Sequence, residues 1–193
     1  MPGFPWVRGE GLMGIRTKVR FWSRQESGAT AVEFALVGFP FIFLLIGIIE
    51  LSVMFAAMST LDSATNTAAR LVRTGQAQMS ADPETTFRES LCEQASVFLD
   101  CSRIVYEVIT MNSFSDFASF PPSYDEEGNM ESNGFDAGSV DDVVLIRVSY
   151  AYPLMTPLLG AAFADGANNT KRMMTTVVLE TEPYDVNLVV DEL

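Results

Sequence analysis

A long uncharged apolar run dominates the N-terminal third of the chain. Residues 34–49 form 16 consecutive positions without a charge, and a further apolar stretch at 51–58 follows Glu50. A helix needs about 20 mostly apolar residues to cross roughly 30 Å of hydrocarbon, and the two stretches together exceed that length. The pattern therefore predicts one transmembrane helix.

The helical pattern continues beyond the apolar run. One face carries small and aliphatic residues at three- and four-residue spacing: Leu61, Ala64, Ala68, Leu71 and Val72. This spacing predicts that the helix extends to about Thr74 and stops at Gly75, because glycine commonly ends helices. The membrane helix and its extension are thus expected to cover residues 29–75, after a leader of residues 1–28.

The remaining residues, 76–193, read as one small α+β domain outside the membrane. Residues 84–100 are predicted to form a second amphipathic helix, with inward positions at Phe87, Leu91, Ala95, Phe98 and Leu99. The segments 103–111, 141–152 and 171–182 are rich in β-branched and aromatic residues and are predicted strands. One helix and three β-rich segments favour an antiparallel sheet of about three strands packed by helix.

Charge divides the chain into a basic head and an acidic body. Residues 1–28 carry a net charge of +3, so that the rest must carry -16 to reach the total of -13. Basic residues before an apolar helix favour a cytoplasmic N-terminus. We therefore expect a single-pass protein of the inner (plasma) membrane with its acidic domain in the periplasm or another extracytoplasmic space. Repulsion from phosphate argues against nucleic acid as a partner.

Two acidic residues bracket the apolar run. If the membrane helix begins at Ala29, Glu50 lies about 32 Å further along at 1.5 Å per residue, which places it at the outer interface. Glu33 lies only about 6 Å beyond Ala29 on the same scale, where an unpaired carboxylate costs up to a few kcal/mol. Its partner is either the solvated headgroup region, helped by the helix dipole, or a free α-amino group at Ala29.

The stretch around these residues resembles a known processing motif. Gly28 and Ala29 are followed by Glu33 and Phe34 in the sequence SGATAVEF, after a basic leader and before a Pro-containing apolar helix and the segment NTAARLVRTGQA. This arrangement resembles the TadE-like minor pseudopilins of the tight-adherence (Tad/Flp) pilus system. The resemblance extends over residues 20 to about 110.

The resemblance implies a function for each residue of the motif. A prepilin peptidase would cut after Gly28, Ala29 would become the new N-terminus, and Glu33 would pair with the positive N-terminus of a neighbouring subunit or its own. The implied partners are that peptidase, other pilins or pseudopilins, inner-membrane pilus assembly components and the lipid bilayer. The implied function is a structural or assembly subunit of the pilus. Translation from Met13 would give a 16-residue leader, so a start at Met13 is also expected.

An uncleaved membrane anchor is the alternative interpretation. In that case the chain is a single-pass binding or scaffold protein, and Glu33 is an interfacial acid without a processing role. Cleavage as an ordinary secretory signal is disfavoured because the apolar run is too long. Pro40 removes a helix hydrogen bond and predicts a kink near residues 37–40, which suits packing among helices but is also common in membrane helices.

The chemistry of the outer domain points to structure rather than catalysis. Cys92 and Cys101, in an oxidising compartment, predict a disulfide. Histidine is absent and no phosphate-binding or nucleophile motif occurs, so neither an enzyme, nor a cofactor, nor a metal site is expected. Residues 113–141 are predicted to be a solvated surface loop, because Glu127 and Met130 break the calcium-loop pattern. Its Phe and Tyr residues would either contact a partner subunit or cover the sheet edge.

Overall fold

The structure is a computed structural model that describes residues 26–184. Most of the predicted leader, including Met13, therefore lies outside the described residues. Contacts between residues divide the chain into two compact units, Met1–Ile46 and Gly47–Leu193. Helix α1, Glu26–Arg73, contributes its N-terminal part to the first unit and its C-terminal part to the second.

In the first unit, the described residues form only the N-terminal part of α1. The helix starts three residues before Ala29, where the sequence placed its start, and it continues through Pro40. Its apolar side chains are exposed around the helix, with Phe34 78% and Phe39 76% exposed. A helix that is apolar on all sides is typical of a membrane span, because exposure of such a surface to water is unfavourable.

The second unit confirms the predicted α+β class. Helix α2, Pro83–Ala95, precedes strand β1, Ile104–Met111, and the two-residue strands β2, Ser123–Tyr124, and β3, Met130–Glu131. The long strand β4, Val143–Pro153, helix α3, Pro157–Phe163, and strand β5, Thr170–Glu180, complete the order. The main sheet is antiparallel with the order β1-β4-β5, whereas β2 and β3 form a separate hairpin.

The C-terminal part of α1 packs on the sheet through a stripe of small residues. Ala57, Leu61, Ala64, Ala68 and Val72 are each fully buried, in one core with Phe87 and Leu91 of α2 and Val144, Ile146 and Val148 of β4. The stripe predicted from spacing is therefore the helical side of the core.

Helix α1 ends at Arg73, one residue before the predicted end. Gly75 follows with a φ of 75°, which a residue with a side chain rarely adopts. A Cβ at this position would lie 2.3 Å from the ring of Tyr184. The Arg73 carbonyl accepts the Glu182 N–H at 2.7 Å, so the chain after β5 returns to the end of α1.

Helix α2 is shorter than predicted. Asp82 caps it by accepting the Thr85 N–H at 3.2 Å, and the helix ends at Ala95. The prediction that Phe98 faces inward is wrong, because the residues after Ala95 leave the helical register, and Phe98 is 50% exposed. The Cys92–Cys101 disulfide joins this helix to the short 3₁₀ turn that leads into β1.

Residues 113–141, called the covering segment below, pack on the sheet and are not a simple solvated loop. They include a 3₁₀ helix, Phe114–Ser119, and the β2–β3 hairpin, and two of their own residues, Met130 and Ala137, are buried. Phe135 of this segment lies with its ring 5.6 Å from that of Phe87. Phe120 of this segment packs in a second cluster with Met111, Val143 and Leu145, so that the residues of β4 from Val143 to Tyr150 are all buried.

Candidate functional site

The predicted processing site lies in the first turn of α1. Gly28 and Ala29 are helical and exposed, two and three residues after the start of the helix at Glu26. A Cβ added at Gly28 would meet no atom within 4 Å. The packing of the described chain therefore sets no requirement for glycine at this position.

Glu33 lies one helical turn beyond Ala29. Residues four apart on a helix are neighbours on one face, so the two positions share one side of α1. The Glu33 side chain is exposed, and within residues 26–184 no cationic group lies at salt-bridge distance from it. The carboxylate is thus accessible to a charge supplied from outside the described chain.

These residues lie in a helix whose apolar surface is exposed. Within the described part of the chain, one helix, Gly28–Arg73, is long and apolar enough to cross a membrane, and its most apolar stretch has no buried residue. Val32 and Val37 near Glu33 are 63% and 70% exposed. In water this surface would be costly, at about 25 cal/mol per Å² of apolar area.

The comparison with known families matches this same segment. The family described as TadE-like protein matches residues 28–70. The segment is thus similar to TadE-like proteins. The match begins at Gly28 and continues through Glu33, Pro40 and Glu50 into the part of α1 that packs on the sheet. No curated protein and no solved structure gave a significant match to the chain.

Glu50, inside the TadE-like segment, has a partner that the sequence did not reveal. Its carboxylate accepts the Met155 N–H and the Thr156 N–H, the latter at 3.0 Å, and also the Thr156 hydroxyl. These donors lie in the turn immediately before α3, which begins at Pro157. A threonine followed by proline is a typical helix start, so this signal was available, but the helix was not predicted.

Contacts between charged residues of the second unit serve its structure. Glu107 on β1 and Arg147 on β4 form an ion pair at 2.6 Å, with the side chains 0% and 2% exposed. The Asn133 amide donates to the second Glu107 oxygen at 2.7 Å, and the Phe120 carbonyl accepts from Arg147. Every partner of Glu107 and Arg147 named here therefore belongs to the same unit. Through Asn133 and the Phe120 carbonyl, the ion pair attaches the covering segment to the sheet.

A cleft of about 470 Å³ lies between the covering segment and β4 and β5. Arg103 donates to the Ala151 carbonyl at 2.8 Å, and Arg172 stacks over the Tyr124 ring at 4.3 Å. Asp125 accepts from Asn129, and hydrogen bonds from that residue help to lower the Asp125 pKa against the smaller effect of burial. Within the described residues, no group of three or more His, Cys, Asp or Glu residues is placed to hold a metal.

Proposed function

We propose that this chain is a pseudopilin-like structural or assembly subunit of a Tad/Flp-type pilus, processed by a prepilin peptidase after Gly28. The observation that carries the proposal is the TadE-like match, which begins at Gly28 on an apolar helix whose surface is exposed. The family supports a pilus-associated protein. The proposal adds to this the cleavage after Gly28, the orientation in the membrane and the specific partners.

The environment of Gly28 supports recognition by a peptidase. Because a Cβ would meet nothing in the described chain, a need for glycine would come from an external active site. The bond after Gly28 lies in the first helical turn, where backbone N–H groups have no intrahelical partner and the helix opens at low cost. Local unwinding can then present this bond to the enzyme.

Glu33 gains a counter-charge through the same step. Cleavage leaves a positive α-amino group on Ala29, one helical turn from the carboxylate on the same face. A charged side chain inside the membrane costs a few kcal/mol when unpaired, and pairing removes much of that cost. In an assembly, the N-terminus of a neighbouring subunit offers the same charge.

The orientation that fits this function has the N-terminus in the cytoplasm and the outer domain in the periplasm. The positive charge of residues 1–28 supports it. The Cys92–Cys101 disulfide supports it independently, because disulfides persist in oxidising compartments. The leader, residues 1–28, would then be removed on the cytoplasmic side.

The first test is the N-terminal residue of the membrane-purified protein, determined by intact mass and terminal sequencing. We expect Ala29. Gly28→Ala should leave the chain uncleaved, whereas Gly47→Ala is the matched control, since Gly47 lies in the same helix and a Cβ there also meets nothing within 4 Å. A wild-type protein that starts at Met1 or Met13 would support the uncleaved anchor instead.

The second test separates processing from assembly. Glu33→Gln should be cleaved normally but should fail to support pilus assembly, which is measured by the amount of sheared surface filament. Glu126→Gln, an exposed carboxylate in the covering segment, is the control and should assemble normally. Normal filament from a cleaved Glu33→Gln protein would show that charge pairing at this position is not required.

A further inference from the structure

An uncharged segment of the outer domain is tied to α1 beside Glu50. No charged residue occurs between Arg147 and Asp165, in a chain with 25 acidic residues, and this interval includes α3. Met155 in the turn before α3 is 85% exposed, and Phe163 at its end is 43% exposed. Singly exposed apolar residues are normal on a protein surface, so the meaning of these two depends on where the segment is held.

The hydrogen bonds to Glu50 fix the position of this surface along the helix. The carboxylate holds the backbone of Met155 and Thr156 directly against α1. Helical side chains tilt toward the helix N-terminus, so the Glu50 carboxylate lies on the membrane side of its own Cα atom. The Met155 backbone is therefore held at the level of the carboxylate.

The same level on α1 is apolar and exposed. Ile49 and Val53, on either side of Glu50 in the sequence, are 64% and 42% exposed, and complete burial by the outer domain begins only at Ala57. A helix from Ala29 reaches Glu50 after about 32 Å, the thickness of the hydrocarbon layer. The exposed surface of Met155 and α3 thus lies at the level of the exposed apolar residues Ile49 and Val53 of α1.

We propose that Met155 and the exposed face of α3 insert into the outer surface of the lipid bilayer and seat the outer domain on it. This surface, formed by Met155, Pro157, Ala161, Ala162 and Phe163, is called the seating patch. Lipid is the occupant because the patch is held at Glu50, about 32 Å along α1 from Ala29, and carries no charge that would orient a polar partner. The inference rests on α1 being a membrane anchor, which is part of the proposed function.

Buried positions of the same segment show that the patch has a defined inner side. Leu154 and Leu159 are 5% and 9% exposed and face the domain, and Tyr152 is also buried. Asp165 is the first charged residue after this segment, and its carboxylate forms an ion pair with Lys171 at 2.6 Å. Interfacial helices bury one apolar face at the boundary between lipid headgroups and acyl chains, and the exposed side of α3 offers such a face.

Depth-dependent fluorescence quenching tests this inference on the full chain. The protein is reconstituted in vesicles of phosphatidylethanolamine and phosphatidylglycerol that contain nitroxide-labelled lipids. A polarity-sensitive dye is attached in turn to Met155→Cys, Ile42→Cys and Val97→Cys; the native cysteines are disulfide-bonded and do not react. Val97 is the matched control, because it is apolar and 71% exposed but lies beside Ser59 and Ser63, further from the membrane.

We expect a blue-shifted emission and loss of intensity at Met155 with nitroxides near the headgroups, and neither effect at Val97. The dye at Ile42 should be quenched by nitroxides deep in the acyl chains. If Ile42 is quenched but Met155 behaves like Val97, the seating patch is wrong while the anchor stands. If Ile42 is not quenched at any depth, the anchor itself is wrong.

Two further measurements separate lipid from protein and test the attachment. Dilution of the protein with lipid should not change the Met155 signal; a signal that disappears on dilution would mean that a second copy covers the patch. Glu50→Ala in the Met155→Cys background should reduce the quenching, because the turn is no longer held against α1. Unchanged quenching in that variant would contradict the seating role of Glu50.

Discussion

The buried ion pair between Glu107 and Arg147 permits a quantitative test of what holds the covering segment on the sheet. The two residues face each other in the β1–β4 register, and their side chains are 0% and 2% exposed. Removal of one partner leaves the other charge buried without compensation, which costs about 3–5 kcal/mol. Glu107→Gln keeps the size of the side chain and removes only its charge.

The remaining contacts of the pair place the expected loss within this range. In Glu107→Gln, Arg147 keeps its bond to the Phe120 carbonyl, and Asn133 still finds an acceptor oxygen. The loss is therefore dominated by the unpaired guanidinium. At about 2–4 °C per kcal/mol for a chain of this size, the midpoint of thermal unfolding should fall by about 6–20 °C.

The assay is thermal unfolding of the full chain in detergent, followed by near-ultraviolet circular dichroism of its tyrosines. Replacement of both residues in Glu107→Met/Arg147→Met should restore much of the stability, because no buried charge remains. The control is the exposed pair of Arg73 and Glu182, 3.4 Å apart with side chains 50% and 59% exposed, for which Glu182→Gln should cost less than about 1 kcal/mol.

Two results would refute this reasoning. Glu107→Gln with a midpoint shift no larger than that of Glu182→Gln would show that the pair is not desolvated in solution. A double variant that loses the sum of the two single losses would show that the residues act independently, because coupled partners are not additive.

Three further predictions concern the packing around α2. Phe87→Ala should lower the free energy of unfolding by about 3–5 kcal/mol, measured by chemical denaturation, because its fully buried ring contacts those of Tyr106 and Phe135. Reduction of the Cys92–Cys101 disulfide should cost about 2–3 kcal/mol, from the loop-closure entropy of nine residues, and a Cys92→Ser variant should then be insensitive to reductant. Burial, together with the hydrogen bond to Glu84, raises the pKa of Tyr106 from 10.0 to about 12. The neutral phenol therefore stabilises the fold fully below pH 10, and this stabilisation is lost as the pH rises toward 12. In Tyr106→Phe, the free energy of unfolding measured by chemical denaturation should lack this pH dependence.

Short-range patterns in the sequence determined the elements whose formation depends on neighbouring residues. The apolar run, the spacing from Leu61 to Val72 and the alternation in residues 103–111 each predict an element that the structure contains. The processing motif is of the same kind, because Gly28, Ala29 and Glu33 lie within a turn or so of one helix. The end of α1 at Arg73, before Gly75, likewise follows from local backbone geometry.

Only the tertiary structure decided which polar residues meet. Glu50 and Thr156 are 106 positions apart, and Glu107 and Arg147 are 40 apart, so no local periodicity connects them. Likewise, residues 113–141 are polar with interleaved aromatic residues in sequence, and only the packing decides that the aromatic residues cover the sheet, where both faces of β4 carry side chains that are buried. Periodicity reports which face of an element is apolar, whereas the partner of a charged side chain depends on how the chain returns through space, and that return is set by the packing of the whole core.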